Sequence, residues 1–285
     1  MIPIVEPDSS ISFKVLGLVP LQTRPYRFAS SAIFIGIWMA LGLVFHPDVN
    51  TYLLIGVPLT LVFQLVVKRE PLAALWVRSA PKMQLNAKLL LAITLLLVEP
   101  LHTLFKQYLH HAPAPYIHWD IACLAGVFAA AYAIQNFDRS TLKATLRCLL
   151  TAGLPYVVIV VLIHTASHKE LGHSPILTGF KWLLLYFPVC FALEEVTFRG
   201  AIDSFVQFGN ERYPWLSAFF VSALWGLWHV PTVPNPSIST AIGAVFISCI
   251  IGVPLSFAWR RSGNLASSGF VHSLMDAIRN VGILS

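Results

Sequence analysis

The chain is predicted to be all-α, a polytopic transmembrane helical bundle of about eight to nine spans. Three observations predict this. Of its 285 residues 56% are hydrophobic, and only 11% are charged. Apolar runs of roughly 20 residues, the length that crosses a bilayer, recur from one end to the other. Mean hydropathy is +0.72, and a soluble domain carries about 25% charge, so a soluble globular protein is excluded.

The predicted spans run Phe28–Phe45, Thr51–Val67, Lys88–Phe105, Trp119–Gln135, Cys148–Ala166, Gly179–Phe208, Trp215–Val230, Ser237–Trp259 and Asn264–Leu284. The first two lie close together, with Pro47 suited to the turn of a hairpin. The third carries Glu99-Pro100, where a proline removes a helical hydrogen bond and kinks the chain. The sixth is longer than a bilayer needs and is expected to tilt or to project beyond it. The seventh ends at His229, before Pro231, Pro234 and Pro236 break the helix. Trp119, Trp182, Trp215 and Trp259 fall near predicted ends, where interfacial tryptophans belong.

The net charge is +6. Its basic residues sit in short segments between apolar runs, the pattern of topology control, so no nucleic-acid partner is expected. Lys14, Arg24 and Arg27 precede the first span, and Lys68, Arg69, Arg78, Lys82 and Lys88 lie between the second and third. Arg139, Lys143 and Arg147 follow the fourth, Arg199 and Arg212 close the sixth, and Arg260-Arg261 follow the eighth. Lys106, Lys169, Lys181 and Arg279 fall on the other side. This bias predicts a cytoplasmic N-terminus in a bacterial inner membrane, and nine spans then put the C-terminus outside.

Cys123, Cys148, Cys190 and Cys249 are scattered singly in apolar stretches and read as small buried hydrophobes. The N-terminal stretch with Glu6 and Asp8 is too long and mixed in charge for an ordinary signal peptide and is expected to stay attached. Residues 1–150 read as accessory transmembrane helices. Residues 151–285 read as the functional core, with its motifs in 180–280.

Those motifs are ionisable groups at membrane depth, which are costly and by default mark function. Glu194-Glu195-Val196-Thr197-Phe198-Arg199 interrupts the sixth span, Trp225…His229 closes the seventh, and His272…Asp276 lies in the ninth. In an α-helix residues four apart share a face and adjacent ones diverge. Glu195 and Arg199 are therefore expected to form an ion pair, leaving Glu194 to face a cavity. The competing interpretation is a buried packing network, for which the second glutamate would be superfluous. His229 alone is more often an interfacial histidine, and Asp276 is placed to orient the His272 ring. Together the segments supply a base for water, a second group to position it and donors for an oxyanion.

Glu-Glu-x-x-x-Arg, aromatic-x-x-x-His and His-x-x-x-Asn/Asp on successive spans resemble the CPBP family. This is the CAAX-protease and bacteriocin-processing group of glutamic-type intramembrane proteases, also called Abi or Rce1-like. The resemblance implies that Glu194 is the general base and that His229 helps to bind and activate the water. It puts His272 and Asp276 at the oxyanion side, with Glu195 and Arg199 as the supporting ion pair. It also implies an endopeptidase that needs no cofactor and cuts near the terminus of a membrane-anchored protein or peptide within the lipid bilayer. Two positions depart from the pattern: Trp225 stands where Phe is frequent, and Asp276 where the best-understood members have Asn. An Asn amide donates, whereas an ionised Asp only accepts. The predicted orientation places His229 toward the outer face, which favours exported or membrane-anchored substrates over prenylated proteins processed from the cytosol.

Two alternatives use the same residues. Glu194, His229, His272 and Asp276 are all possible zinc ligands, although no His-Glu-x-x-His is present. His102, His110, His111 and His118 cluster near one loop and offer looser metal ligands. The second alternative is non-catalytic: an immunity- or chaperone-like membrane protein, or a proton-coupled transporter, to which Glu99-Pro100 lends some weight.

Overall fold

A computed structural model describes residues 23–111, 114–166, 175–209 and 211–284. Lys14 and Lys169, used above to argue topology, and Glu6 and Asp8 of the N-terminal stretch lie outside the described residues. Among the described residues the chain forms nine continuous helices: α1 (Arg24–Phe45), α2 (Val49–Lys68), α3 (Ala87–Leu109), α4 (Ala114–Gln135), α5 (139–166), α6 (175–206), α7 (Pro214–Trp228), α8 (Ile238–Ser262) and α9 (Ala266–Leu284). All but α7 and α9 are long and apolar enough to cross a membrane. With water absent, a helix satisfies its own backbone, which is why the bundle is built of nothing else.

The helices alternate in direction. Arg27 at the start of α1 donates to the carbonyl of Phe205 at the end of α6, and Lys88 at the start of α3 donates to that of Gln135 at the end of α4. Ser140 near the start of α5 reaches Arg261 at the end of α8. The basic segments that interrupt the apolar sequence thus gather at one end of the bundle.

α1 and α2 form the expected hairpin. His46 caps α1 in the left-handed region at φ 46°, Pro47 follows, and the Asp48 side chain accepts from the Thr51 amide to start α2. Trp38, Tyr52 and Trp228 pack ring against ring, and Tyr52 donates to the carbonyl of Trp228. The hairpin thereby buttresses the helix that ends at His229.

α5 corrects the sequence expectation. Arg139, Lys143 and Arg147 are not loop residues preceding a span at Cys148; they form the first turns of the helix itself. Asp138 caps it, accepting from both the amide and the hydroxyl of Thr141 at 2.7 and 2.6 Å. Thr141, Ala144, Thr145 and Cys148 are buried, while the basic side chains occupy the other face. An amphipathic start of this kind lies at the interface, where charge does not terminate a helix.

α6 departs from regular α geometry. Residues Phe191–Asp203 form a π-helix, in which each turn takes up more than four residues. Pro188 lies just upstream and withholds a backbone donor from the preceding turn. Close contacts hold the helix on both flanks: a Cβ on Gly126 of α4 would sit 1.9 Å from the carbonyl oxygen of Pro188, and one on Gly200 would sit 2.3 Å from that of Leu75. Thr60 of α2 bonds to Thr197 at 2.6 Å. α6 therefore forms the centre of the bundle, and the Glu-Glu motif sits on its irregular stretch.

Candidate active site

The structure gathers Glu194 and Glu195 from α6, His229 from the end of α7, and His272 and Asp276 from α9. Glu194 faces a cavity of about 430 Å³, which His229, His272, Asp276 and Arg279 also line. That volume lies within the usual range for a small-ligand or peptide site. Asn50, Leu53 and Trp119 also line it, so α2 and α4 contribute to it. Its lining includes Asn50 at the start of α2, Thr232 beyond α7 and Arg279 near the end of α9. These positions lie toward the end of the bundle opposite the basic segments.

Each reactive side chain is held by a named partner. Trp225 Nε1 donates to Glu194 Oε2 at 2.8 Å, which fixes the carboxylate from one side. His229 Nδ1 lies 2.8 Å from the carbonyl oxygen of Trp225. A carbonyl only accepts, so Nδ1 carries the proton and Nε2 is turned inward, 3.9 Å from Glu194 Oε2. His272 Nδ1 likewise donates to Glu195 Oε1 at 2.9 Å. Its Nε2 stands 3.8 Å from Glu194 Oε2 and 3.7 Å from Asp276 Oδ2. Three carboxylates thus surround the His272 ring.

One of these contacts differs from what helical spacing suggests. Arg199 and Glu195 form the expected ion pair, both buried and 3.9 Å apart, although no side-chain nitrogen of Arg199 makes a hydrogen bond. Arg199 also lies over the indole of Trp225, 5.0 Å from the ring centroid, a cation–π contact. The ring of His272 is oriented by Glu195 rather than by Asp276. Asp276 has its own partner, Arg279, at 3.0 Å.

Three neighbours went unassigned in the sequence. Trp225 stands at a position where Phe is frequent, but its Nε1 is the donor to Glu194. Arg279 was read as a topology charge, but it holds Asp276. Cys190 sits one turn before Glu194, and its Sγ is 3.5 Å from Asp276 Oδ2. Spacing offered a signal for each, since Trp225, Arg279 and Cys190 lie three or four residues from a motif residue. The four loop histidines do not form a metal cluster among the described residues; His102 pairs with Glu99, and His118 contacts Thr51.

Residues 176–278 match the family model described as type II CAAX prenyl endopeptidase Rce1-like. This segment is similar to the Rce1-like family. The match begins in α6, takes in α7 and α8, and ends in α9, so every residue of the Glu194 cluster lies within it. The Rce1-like family is a family of proteases, and the chain is an integral membrane protein. No curated protein and no solved structure matches the chain.

Proposed function

We propose that the protein is a glutamic-type intramembrane endopeptidase, in which Glu194 activates a water that attacks a peptide bond without a metal. The observation that carries this reading is the convergence of Glu194, His229 and His272 in one cavity. The carboxylate is aimed by Trp225, and each histidine presents Nε2 to it. Separations of 3.8 and 3.9 Å exceed a hydrogen bond but are readily spanned by a single water about 2.8 Å from each group. Glu194 accepts the water's proton, and His229 Nε2 accepts its second hydrogen bond and positions it. The oxygen adds to the scissile carbonyl. His272, as an imidazolium complemented by its three carboxylates, donates from Nε2 to the oxyanion. The proton on Glu194 then passes to the leaving amine.

Asp276 and Arg279 form the wall beyond His272. Because Arg279 already engages Asp276, this aspartate acts as an acceptor that steadies the His272 side of the cavity. Glu195 positions the ring through Nδ1. Glu195→Gln keeps a carbonyl acceptor but removes the negative charge, and kcat is expected to fall on the order of 10²-fold with KM little changed. A KM effect alone would show that Glu195 serves substrate binding instead.

The substrate we propose is a membrane-anchored protein or peptide cut near its terminus, as the prenyl endopeptidase description of the matched family suggests. By the positive-inside rule the basic end faces the cytoplasm. The cavity then lies toward the opposite side, which favours exported, membrane-anchored chains over prenylated cytosolic ones. A bacterial inner membrane with a cytoplasmic N-terminus is the matching location.

The zinc alternative uses the same cavity and is separated from this reading by chelation. Hydrolysis of membrane-anchored peptides by the purified protein in liposomes is expected to persist in EDTA and in 1,10-phenanthroline. Activity lost on chelation and restored by Zn²⁺ would replace the glutamic mechanism with a metal-dependent one.

A further inference from the structure

Cys190 has no part in the hydrolytic scheme, yet it completes a second arrangement of groups. One ligand atom from each of Cys190, His272 and Asp276 lies within 4.8 Å of the other two, and all three residues are buried. Sγ to Asp276 Oδ2 is 3.5 Å, and His272 Nε2 to the same oxygen is 3.7 Å. Donors bound to one tetrahedral zinc at 2.0–2.3 Å stand roughly 3.3–3.8 Å apart. The sulfur–oxygen edge therefore already has the length a bound ion requires, and the nitrogen–oxygen edge needs only a small contraction.

The surrounding contacts direct the right atoms inward. The Nδ1 proton of His272 is committed to Glu195 at 2.9 Å, leaving the Nε2 lone pair of the neutral ring for a metal. This is the carboxylate–histidine–metal relay that tunes such sites. Arg279 holds Asp276 Oδ1 at 3.0 Å, leaving Oδ2 free to bind. Glu194 Oε2, 3.8 Å from His272 Nε2, stands where a fourth ligand or a ligated water would sit.

We infer that Cys190, His272 and Asp276 form a binding site for a thiophilic divalent cation of the Zn²⁺ type, and that filling it shuts the hydrolytic site. On binding, the Cys190 thiol and Nε2 of the His272 imidazolium each release a proton to solvent, and the thiolate and the Asp276 carboxylate balance the two positive charges of the ion. The Nε2 lone pair of His272 is then committed to the ion and cannot serve an oxyanion. The shutting of the site rests on the proposed function; the binding does not.

The test uses the full-length protein, purified in detergent without an oligohistidine tag and titrated with Co²⁺ and then Zn²⁺. One Co²⁺ per chain is expected, with a thiolate-to-cobalt charge-transfer band in the near ultraviolet that Zn²⁺ abolishes. Cys190→Ala is expected to lose the band and to weaken Zn²⁺ binding by at least the roughly 10- to 100-fold that a lost supporting partner costs. Cys190→Ser, which keeps the volume of the side chain, is expected to lose the same band. Zn²⁺ should suppress hydrolysis by the wild type but not by Cys190→Ser, whose metal-free rate is unchanged. Absence of the band in the wild type, or Zn²⁺ binding as strong in both variants as in the wild type, would overturn the site. A band that depends on Cys190 in a protein without peptidase activity would instead overturn the proposed function and leave the site standing.

Discussion

Glu194→Gln is expected to lower the rate of peptide-bond hydrolysis by about 10²- to 10⁴-fold, the scale of a lost general base. The substitution removes the proton acceptor while changing almost nothing else. The amide is nearly isosteric, and its carbonyl oxygen still accepts from Trp225 Nε1, the 2.8 Å bond that aims the side chain. Thermal unfolding and abundance in the membrane should therefore match the wild type. Glu194→Ala is a weaker test, because it also strands the indole donor and enlarges the cavity. A Glu194→Gln protein that unfolds at the same temperature and retains full activity would exclude Glu194 as the base.

The largest effect on stability is expected from Arg260→Ala. Arg260 closes α8 with a bidentate clasp on Asp203, from Nε at 2.9 Å and from NH2 at 2.5 Å, and also donates to the Pro214 carbonyl and the Ser217 hydroxyl. Its side chain is 4% exposed and that of Asp203 is fully buried, with Glu211 2% exposed nearby. Removing the guanidinium leaves Asp203 buried without its main partner, a loss of about 3–5 kcal/mol, whereas Glu211 keeps Ser217, Phe208 and Arg24. The clasp ties the end of α8 to the end of α6 and the start of α7, so its loss also loosens the frame that sets Glu194 against His229. Reduced abundance and a lower unfolding temperature check the prediction, and Arg260→Lys should recover only part of the stability, because an ammonium lacks the planar fork. An unfolding temperature unchanged in Arg260→Ala would show that the clasp contributes little.

The bundle was legible because a bilayer leaves so few options. Long apolar runs must be helices, and prolines and charges punctuate them. The same rule erred at Arg139, where charge was taken as loop although Asp138 and Thr141 already spelled a helix cap. The motif residues were legible for the opposite reason, as charges that a membrane would not tolerate without use. Their partners were harder to read. Helical spacing pairs Glu195 with Arg199, and that ion pair is present, but it does not announce that Glu195 also reaches a ring 77 residues away. The Asp203–Arg260 clasp joins residues 57 apart, and no local pattern announces it. The Trp225 indole was hidden by its chemistry: in an apolar segment it reads as bulk, and only the fold reveals its Nε1 as a donor.

The central claim is that Glu194 drives proteolysis in the membrane. Its most direct test compares protein termini in membranes of the native host carrying either the wild type or Glu194→Gln at matched abundance. The account predicts new termini that appear only with the wild type, in membrane-anchored proteins and near their ends. Identical termini in both membranes would contradict it.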